Sequence, residues 1–263
     1  MLKLDNLCQI FNFERLGSVI MEYRGSTVYN QDDFFSEYIR RKNREDSPNN
    51  AIEGPIIYEL IGNVDRKNIL DLGCGDASFG NELLLLGAKT YTGIEGSEHM
   101  IKAALNNLKD TVGTVHHTSI EDYHFPSNSF ELVTSRFALH YISNIELVFQ
   151  KIFNSLKENG HFIFSVQHPL TTASFLSKLS GDRRENWIVD DYFRTGERKE
   201  PWMNKVVVKY HRTIEQYFNL LRKTGFRIDQ LHEGTPKQIH FKSEEEFLRR
   251  QRIPIVLVFS CFK

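Results

Sequence analysis

Asp71, Gly73 and Gly75 stand in the run Asn68-Ile69-Leu70-Asp71-Leu72-Gly73-Cys74-Gly75-Asp76-Ala77-Ser78. Their types and spacing suit a loop that wraps a nucleotide-like ligand. An apolar run ending in an acid reads as a buried strand, and the glycines let the backbone turn tightly and approach a ligand without interference from Cβ atoms. A helix beginning after them offers unpaired N–H groups at its N-terminus. Asp71 at the strand mouth discriminates between ligands, because a carboxylate there repels an anionic pyrophosphate and attracts an ammonium group. The dinucleotide fingerprint G-x-G-x-x-G is also incomplete, since its third glycine falls on Ser78. A dinucleotide, a sulfonium nucleoside, and a glycine turn with no ligand at all remain the three readings of this loop taken alone.

A second acid at a strand end narrows them. Lys89-Thr90-Tyr91-Thr92-Gly93-Ile94-Glu95 closes about twenty residues after the glycine turn, where a ribose-binding carboxylate belongs in a mononucleotide-binding half. Ser97 then suits the N-cap of a helix through Met100 and Ala104. Downstream lie Thr118-Ser119-Ile120-Glu121-Asp122-Tyr123-His124-Phe125-Pro126, with Ser129-Phe130-Glu131-Leu132-Val133 after it, and Thr134-Ser135-Arg136-Phe137-Ala138-Leu139-His140-Tyr141. In open α/β sheets ligands sit outside the carboxyl ends of the strands, so the last segment faces the same crevice as the glycine loop.

Together these segments resemble the class I S-adenosylmethionine-dependent methyltransferases. That family's first motif is an acid followed by x-Gly-x-Gly-x-Gly; Asp71, Gly73 and Gly75 match it, and Ala77 replaces the third glycine. The resemblance implies S-adenosylmethionine as cofactor, with Glu95 on the ribose hydroxyls, Gly96 and Ser97 along the adenosine, and Met100 near the adenine. It further implies that Ser119, Ile120 and Glu121 close over the adenine, with Ser119 where many members have Asp. Ser135, Phe137 and Ala138 then run beside the methionine half. Members that methylate exocyclic amines of adenine, cytosine or glutamine carry an Asn-Pro-Pro or Asp-Pro-Pro string before an aromatic residue, which this chain lacks.

Methyl transfer to a hydroxyl or a protonated amine needs a base for the proton. His168, leaving the fifth core strand in Ser165-Val166-Gln167-His168-Pro169, and His140, after the fourth, are the candidates. Each has a structural reading beside the catalytic one, His168 as the cap of a turn before proline. Tyr210 and His211 border the same region. Trp187, Tyr192, Phe193 and Trp202 suit either an apolar acceptor pocket or the core of a small subdomain, and Tyr23, Tyr29 and Tyr38 suit a wall closing over the cofactor.

Strands near 69–72, 91–95, 114–117, 130–134 and 161–166 alternate with helices near 77–86, 97–108 and 144–157. That order predicts a Rossmann-like, doubly wound α/β fold with a mostly parallel sheet and helices on both faces. The resemblance supplies the count of seven strands and an antiparallel last strand. Expected divisions are an N-terminal extension and cap helices over 1–64, a cofactor-binding core over 65–167, a lid or substrate-binding insertion over 168–209, and the rest of the core sheet over 210–263. Residues 155–160 are expected to form the helix exit before the fifth strand. Residues 1–20 read as a loosely ordered extension, with Met21 an alternative start.

The chain has 263 residues, 40% hydrophobic and 25% charged, as expected of one large α/β domain. A formal charge of −1 gives no reason to expect a broad nucleic-acid-binding surface. Arg40-Arg41-Lys42 and Arg249-Arg250 read as solvated helix faces, although an RNA methyltransferase would use such clusters. Three scattered cysteines suggest neither zinc nor a disulfide framework, no metal site is expected, and Cys74 suits the loop by its small size. No run of ~18 apolar residues occurs, so no membrane span is expected. Without a signal-like leader the default is a cytoplasmic enzyme. The expected function is methyl transfer from S-adenosylmethionine to an O or N atom of a small metabolite. A catalytically silent cofactor-binding module is the alternative from another class, and nothing in the sequence speaks to an oligomeric state.

Overall fold

The computed structural model describes residues 21–174 and 187–263; the expectations for residues 1–20 and for part of the insertion lie outside them. Among the described residues, ten strands form two sheets. In chain order they are β1 (Glu22–Arg24), β2 (Asn68–Leu72), β3 (Thr90–Glu95), β4 (Thr114–His117), β5 (Phe130–Arg136), β6 (Leu156–Gln167), β7 (Gly196–Trp202), β8 (Lys205–His211), β9 (Arg227–His232) and β10 (Val256–Phe262). The main sheet has seven strands in the order β4-β3-β2-β5-β6-β10-β9. Its first five are parallel neighbours, and β10 inserts antiparallel between β6 and β9. The expected α/β class, strand number and antiparallel last strand are all present.

Period-two alternation along the central strands separates two cores. Leu70, Val133, Phe162, Phe164 and Phe259 face one side, where they meet Phe149 and Ile152 of one helix (Ile145–Ser155) and Tyr217 and Leu221 of another (Ile214–Thr224). Ile69, Leu132, Ile163 and Val258 face the other, against Ile57, Phe79, Leu83 and Ala104. Helices therefore cover both faces, as the continuous apolar strands require. The Ile214–Thr224 helix shows its local logic plainly: Thr213 and Gln216 form a capping box, and Gly225 ends it in the left-handed conformation.

One boundary differs from expectation. The strand predicted to begin near 161 begins at Leu156, and the register steps from Phe130↔Leu156 to Leu132↔His161. The expected helix-exit turn is thus a bulge inside the strand, with Asn159 left-handed at φ 59°.

The insertion after β6 is more regular than its sequence suggests. Beyond a four-residue helical turn (Pro169–Thr172), β7 and β8 form a hairpin joined by Met203 and Asn204. Both have positive φ (48° and 60°), the signature of a type I′ turn. On its other edge β8 pairs in parallel with β1, so the N-terminal segment and the insertion make one three-stranded cap. The residue-209 boundary falls inside β8, which carries the cap on to His211. Val28, Phe34 and Val207 are buried between this sheet and the helix α1 (Asp32–Lys42), with Trp202 edge-on to Phe34 at 5.1 Å.

Candidate functional site

The strand order reverses between β2 and β5, since the chain continues from β2 to β3 on one side and later returns to β5 on the other. A crevice opens outside the carboxyl ends of strands at such a switch point. The cavity there has a volume of about 450 Å³, within the range of pockets for small ligands and cofactors. Gly73 and Cys74 donate their N–H groups to the Ile94 carbonyl, at 2.8 and 3.0 Å, tying the glycine loop to β3. Gly73 has φ 73°, and a Cβ there would overlap that of Ala138. At Gly75 (φ 59°) a Cβ would meet only the Met100 sulfur at 3.9 Å, so it would project into the cavity. Ala77 at the third family glycine also sits in the left-handed region, at φ 52°. That explains why glycine is the usual residue there.

Glu95 is the polar centre of the crevice. Its Oε2 accepts the Gly75 N–H at 3.0 Å and its Oε1 accepts the Ser97 N–H at 2.8 Å. Burial pushes its carboxyl above the usual range, and these backbone donors oppose the shift. With one bond on each oxygen, lone pairs remain for a vicinal diol. Met100 and Ile120 supply apolar walls, and Gly96, Ser119 and Glu121 complete that end. The Ser119 hydroxyl donates to Asp122 Oδ2 at 2.7 Å and accepts the Asp122 N–H at 3.0 Å. Its proton is therefore committed, and Asp122, which also lines the cavity, brings the carboxylate to this rim. Phe137 and Ala138 lie along the opposite wall, Phe137 with φ 53°, a costly conformation for an aromatic residue.

Three expected cofactor contacts stand behind the wall. Asp71 is buried, with Oδ2 accepting from the Tyr91 hydroxyl at 2.8 Å and Oδ1 from the Thr134 hydroxyl at 3.0 Å. Burial raises its carboxyl pKa, outweighing both hydrogen bonds. It braces the strand ends and does not face the ligand space. Ser135 donates to the Leu72 carbonyl at 2.8 Å, locking β5 to β2. Ser97 caps its helix, accepting from Met100 N, and donates to Asn30 Oδ1 at 2.9 Å. Each of the three acts on the site through its neighbours. Cys74 is buried against Gly93, and burial raises its thiol pKa well above normal, so it fills space.

The cap closes the crevice from above. Arg24 at the end of β1 and Gly25, Ser26 and Thr27 after it form part of the cavity wall, and Val208 and Tyr210 reach it from β8. A sequence reading has only the Gly25-Ser26 turn signal to find the first group, and no motif for the second. Tyr29, Tyr38 and Tyr141, with Phe137, line this cavity and also a second, larger one of about 770 Å³. The two are chambers of one groove. Tyr29 and Tyr141 hydroxyls lie 3.3 Å apart, and burial raises the pKa of all three tyrosines, so they present neutral phenols. Tyr23 packs into the cap core instead.

Neither histidine is placed as a base. His168 lines neither chamber; its Nδ1 accepts from Leu170 N at 3.1 Å and its Nε2 lies 3.0 Å from Glu233 Oε1. It caps the turn before Pro169, its structural reading. His140 does line the second chamber, but its Nδ1 accepts the Gln167 N–H at 3.4 Å, which puts its proton on Nε2. Burial, Lys209 and Arg212 push its pKa well below normal. It is a neutral donor. His211 spends both nitrogens on Thr172 Oγ1 and the Tyr192 carbonyl. Of the four aromatics after His168, Trp187 and Trp202 line the second chamber, whereas Tyr192 meets His211 edge-on and Phe193 is exposed. Among the described residues no cluster of His, Cys, Asp and Glu could hold a metal ion, and no helix is long and apolar enough to cross a membrane.

This cradle fits S-adenosylmethionine: open space above Gly75, a buried carboxylate for the ribose, apolar walls for the adenine, and aromatic faces toward a sulfonium. Comparison with known proteins agrees. A family model described as a methyltransferase domain matches residues 70–164. A Haemophilus influenzae protein of uncharacterised function is 31% identical over 217 residues, spanning 79% of this chain and 85% of its own. Among solved structures, one from Listeria monocytogenes described as an S-adenosylmethionine-dependent methyltransferase is 31% identical, with a TM-score of 0.71 over 80% of this chain and 97% of that one. The S-adenosylmethionine-dependent methyltransferase from Mesorhizobium loti is 30% identical, with a TM-score of 0.75 over 82% and 100%. The chain therefore belongs to the class I S-adenosylmethionine-dependent methyltransferases.

Proposed function

We propose that the enzyme methylates an O or N atom of a small molecule held in the second chamber. The observation that carries this reading is the shared wall: Tyr29, Tyr38, Phe137 and Tyr141 line both chambers beneath one cap. An acceptor seated there meets the cofactor space directly, while β1, β7 and β8 limit entry to small substrates. The bound cofactor supplies a methyl group activated by an adjacent sulfonium. Glu95 and the glycine loop fix its ribose. The buried phenols and the Phe137 ring exclude water and set the line of approach, which can supply much of the rate. His140 donates a hydrogen bond from Nε2 and orients the acceptor without taking its proton. Because neither histidine is placed to act as base, we read the nucleophile as one that enters already deprotonated, an oxyanion or a neutral amine. Cys74 and Cys261 are both unpaired and buried, which suits a reducing compartment, and we read the enzyme as cytoplasmic.

The test uses methyl-labelled S-adenosylmethionine with pooled small acids, phenols and amines in one arm and total tRNA in another. Label in a small product supports the proposal; label only in RNA overturns it. Cofactor binding without transfer in any arm favours a silent binding module.

A further inference from the structure

The second chamber is aromatic at its junction with the cofactor space and cationic further out. The helix Glu244–Gln251 ends there, and its Arg249 and Arg250 share one carboxylate, Glu246, at 2.5 and 2.8 Å. The Arg250 contact is off the hydrogen-bonding direction, so its buried Nε–H has no acceptor among the described residues. The indole Nε1–H of Trp187 is likewise buried without a partner. Arg252 lies over the Trp187 ring at 5.6 Å, which brings that indole beside the same helix end. Gln167, at the end of β6, adds a buried amide oxygen without a partner, and all three residues line the chamber. Buried polar groups left unpaired are rare and costly, more so for a cation. Here two unpaired donors, one of them on a guanidinium, converge on one hollow.

Arg40 and Arg41 likewise share one carboxylate, Glu37, and Lys42 is paired with Asp76. Arg44 is held by Asp46. What sets Arg250 apart is its buried Nε–H without an acceptor among the described residues. We infer that Arg250 and Trp187 form an oxyanion subsite that grips a carboxylate or phosphate on the methyl acceptor, with Gln167 reading a donor beside it. The inference rests on the small-acceptor reading above and narrows it to an acid. Its aromatic part would lie against Tyr38, Tyr141 and Trp202, and its anion would point away from the cofactor.

Inorganic phosphate and benzoate serve as probes, titrated by calorimetry into enzyme saturated with S-adenosylhomocysteine. Binding of one or both in the millimolar range is expected, and the preferred probe identifies the source of the oxyanion. Arg250→Gln should weaken that probe about tenfold or more, the effect of a lost hydrogen bond to a charged group. Trp187→Phe keeps the packing and removes only the N–H, so it guards against a folding defect in the first variant; it should weaken the probe several-fold. Both should bind S-adenosylhomocysteine as the wild type does. Absence of binding by either probe, or equal binding by wild type and both variants, overturns the subsite. Failure of the wild type to bind S-adenosylhomocysteine would instead count against the cofactor site, and is read separately.

Discussion

Replacing Glu95 with Gln isolates the most connected group in the cofactor chamber. In the wild type each carboxylate oxygen accepts a backbone N–H, from Gly75 at 3.0 Å and Ser97 at 2.8 Å, and the same group faces the cavity. The amide keeps the shape but offers one oxygen. Its NH₂ must either face a loop N–H or turn toward the ribose. Either way one charge-assisted hydrogen bond is lost in the complex, worth about 1.5–3 kcal/mol. Affinity for S-adenosylhomocysteine should therefore fall about 10- to 100-fold. Isothermal titration reads the affinity, and a thermal melt shows whether the loop still folds. A second readout is pH. Burial raises the Glu95 carboxyl pKa, so wild-type affinity should begin to weaken at a less acidic pH than for an ordinary carboxylate. The variant should lose that dependence. Affinity within about threefold of wild type, at an unchanged melting temperature, would refute the ribose-carboxylate assignment, because a lost charged bond is worth more than that.

Two other outcomes follow from the histidines. His161 is stacked on Phe262 and bonded to Ser260, and burial lowers its pKa to about 4. A depressed histidine favours the unfolded state as pH falls from about 6.5 to 4, so stability is full above that window. Between pH 7.5 and pH 5 the loss from this group is ~2 kcal/mol, and denaturant titrations at the two values should show a shallower pH dependence in His161→Gln. His168→Ala removes the bonds to Leu170 N and Glu233, so it should lower stability by about 1 kcal/mol while leaving S-adenosylhomocysteine affinity unchanged. A folded variant that binds cofactor normally yet loses turnover on an identified acceptor would restore His168 as a base.

The core was legible because its chemistry constrains residue type at fixed spacing. Only certain residues suit a left-handed loop against Ala138, and only an acid at the end of β3 can gather the N–H groups of Gly75 and Ser97. Legibility stopped where a carboxylate can serve either side of a wall. Asp71 has the family's residue and position, yet Tyr91 and Thr134, twenty and sixty-three residues away, hold it inward. No local pattern records those partners. The hairpin was missed for a similar reason: Met203-Asn204 makes the turn that Asn-Gly usually makes, and the β1–β8 pairing uses backbone groups common to every residue.

That pairing also explains why the two chambers belong to one machine. The cap reaches the core through Asn30, whose Oδ1 accepts from both the Ser97 hydroxyl and the Glu98 N–H at 2.9 Å. The backbone N–H of the same Ser97 is held by Glu95. One residue is thus fastened on its main chain to Glu95 and on its side chain to the cap. Two hydrogen bonds connect Glu95 to Asn30. Tyr29, the next residue back, lines both chambers. The wall shared by the two chambers is consequently tied to the helix cap that Glu95 also holds.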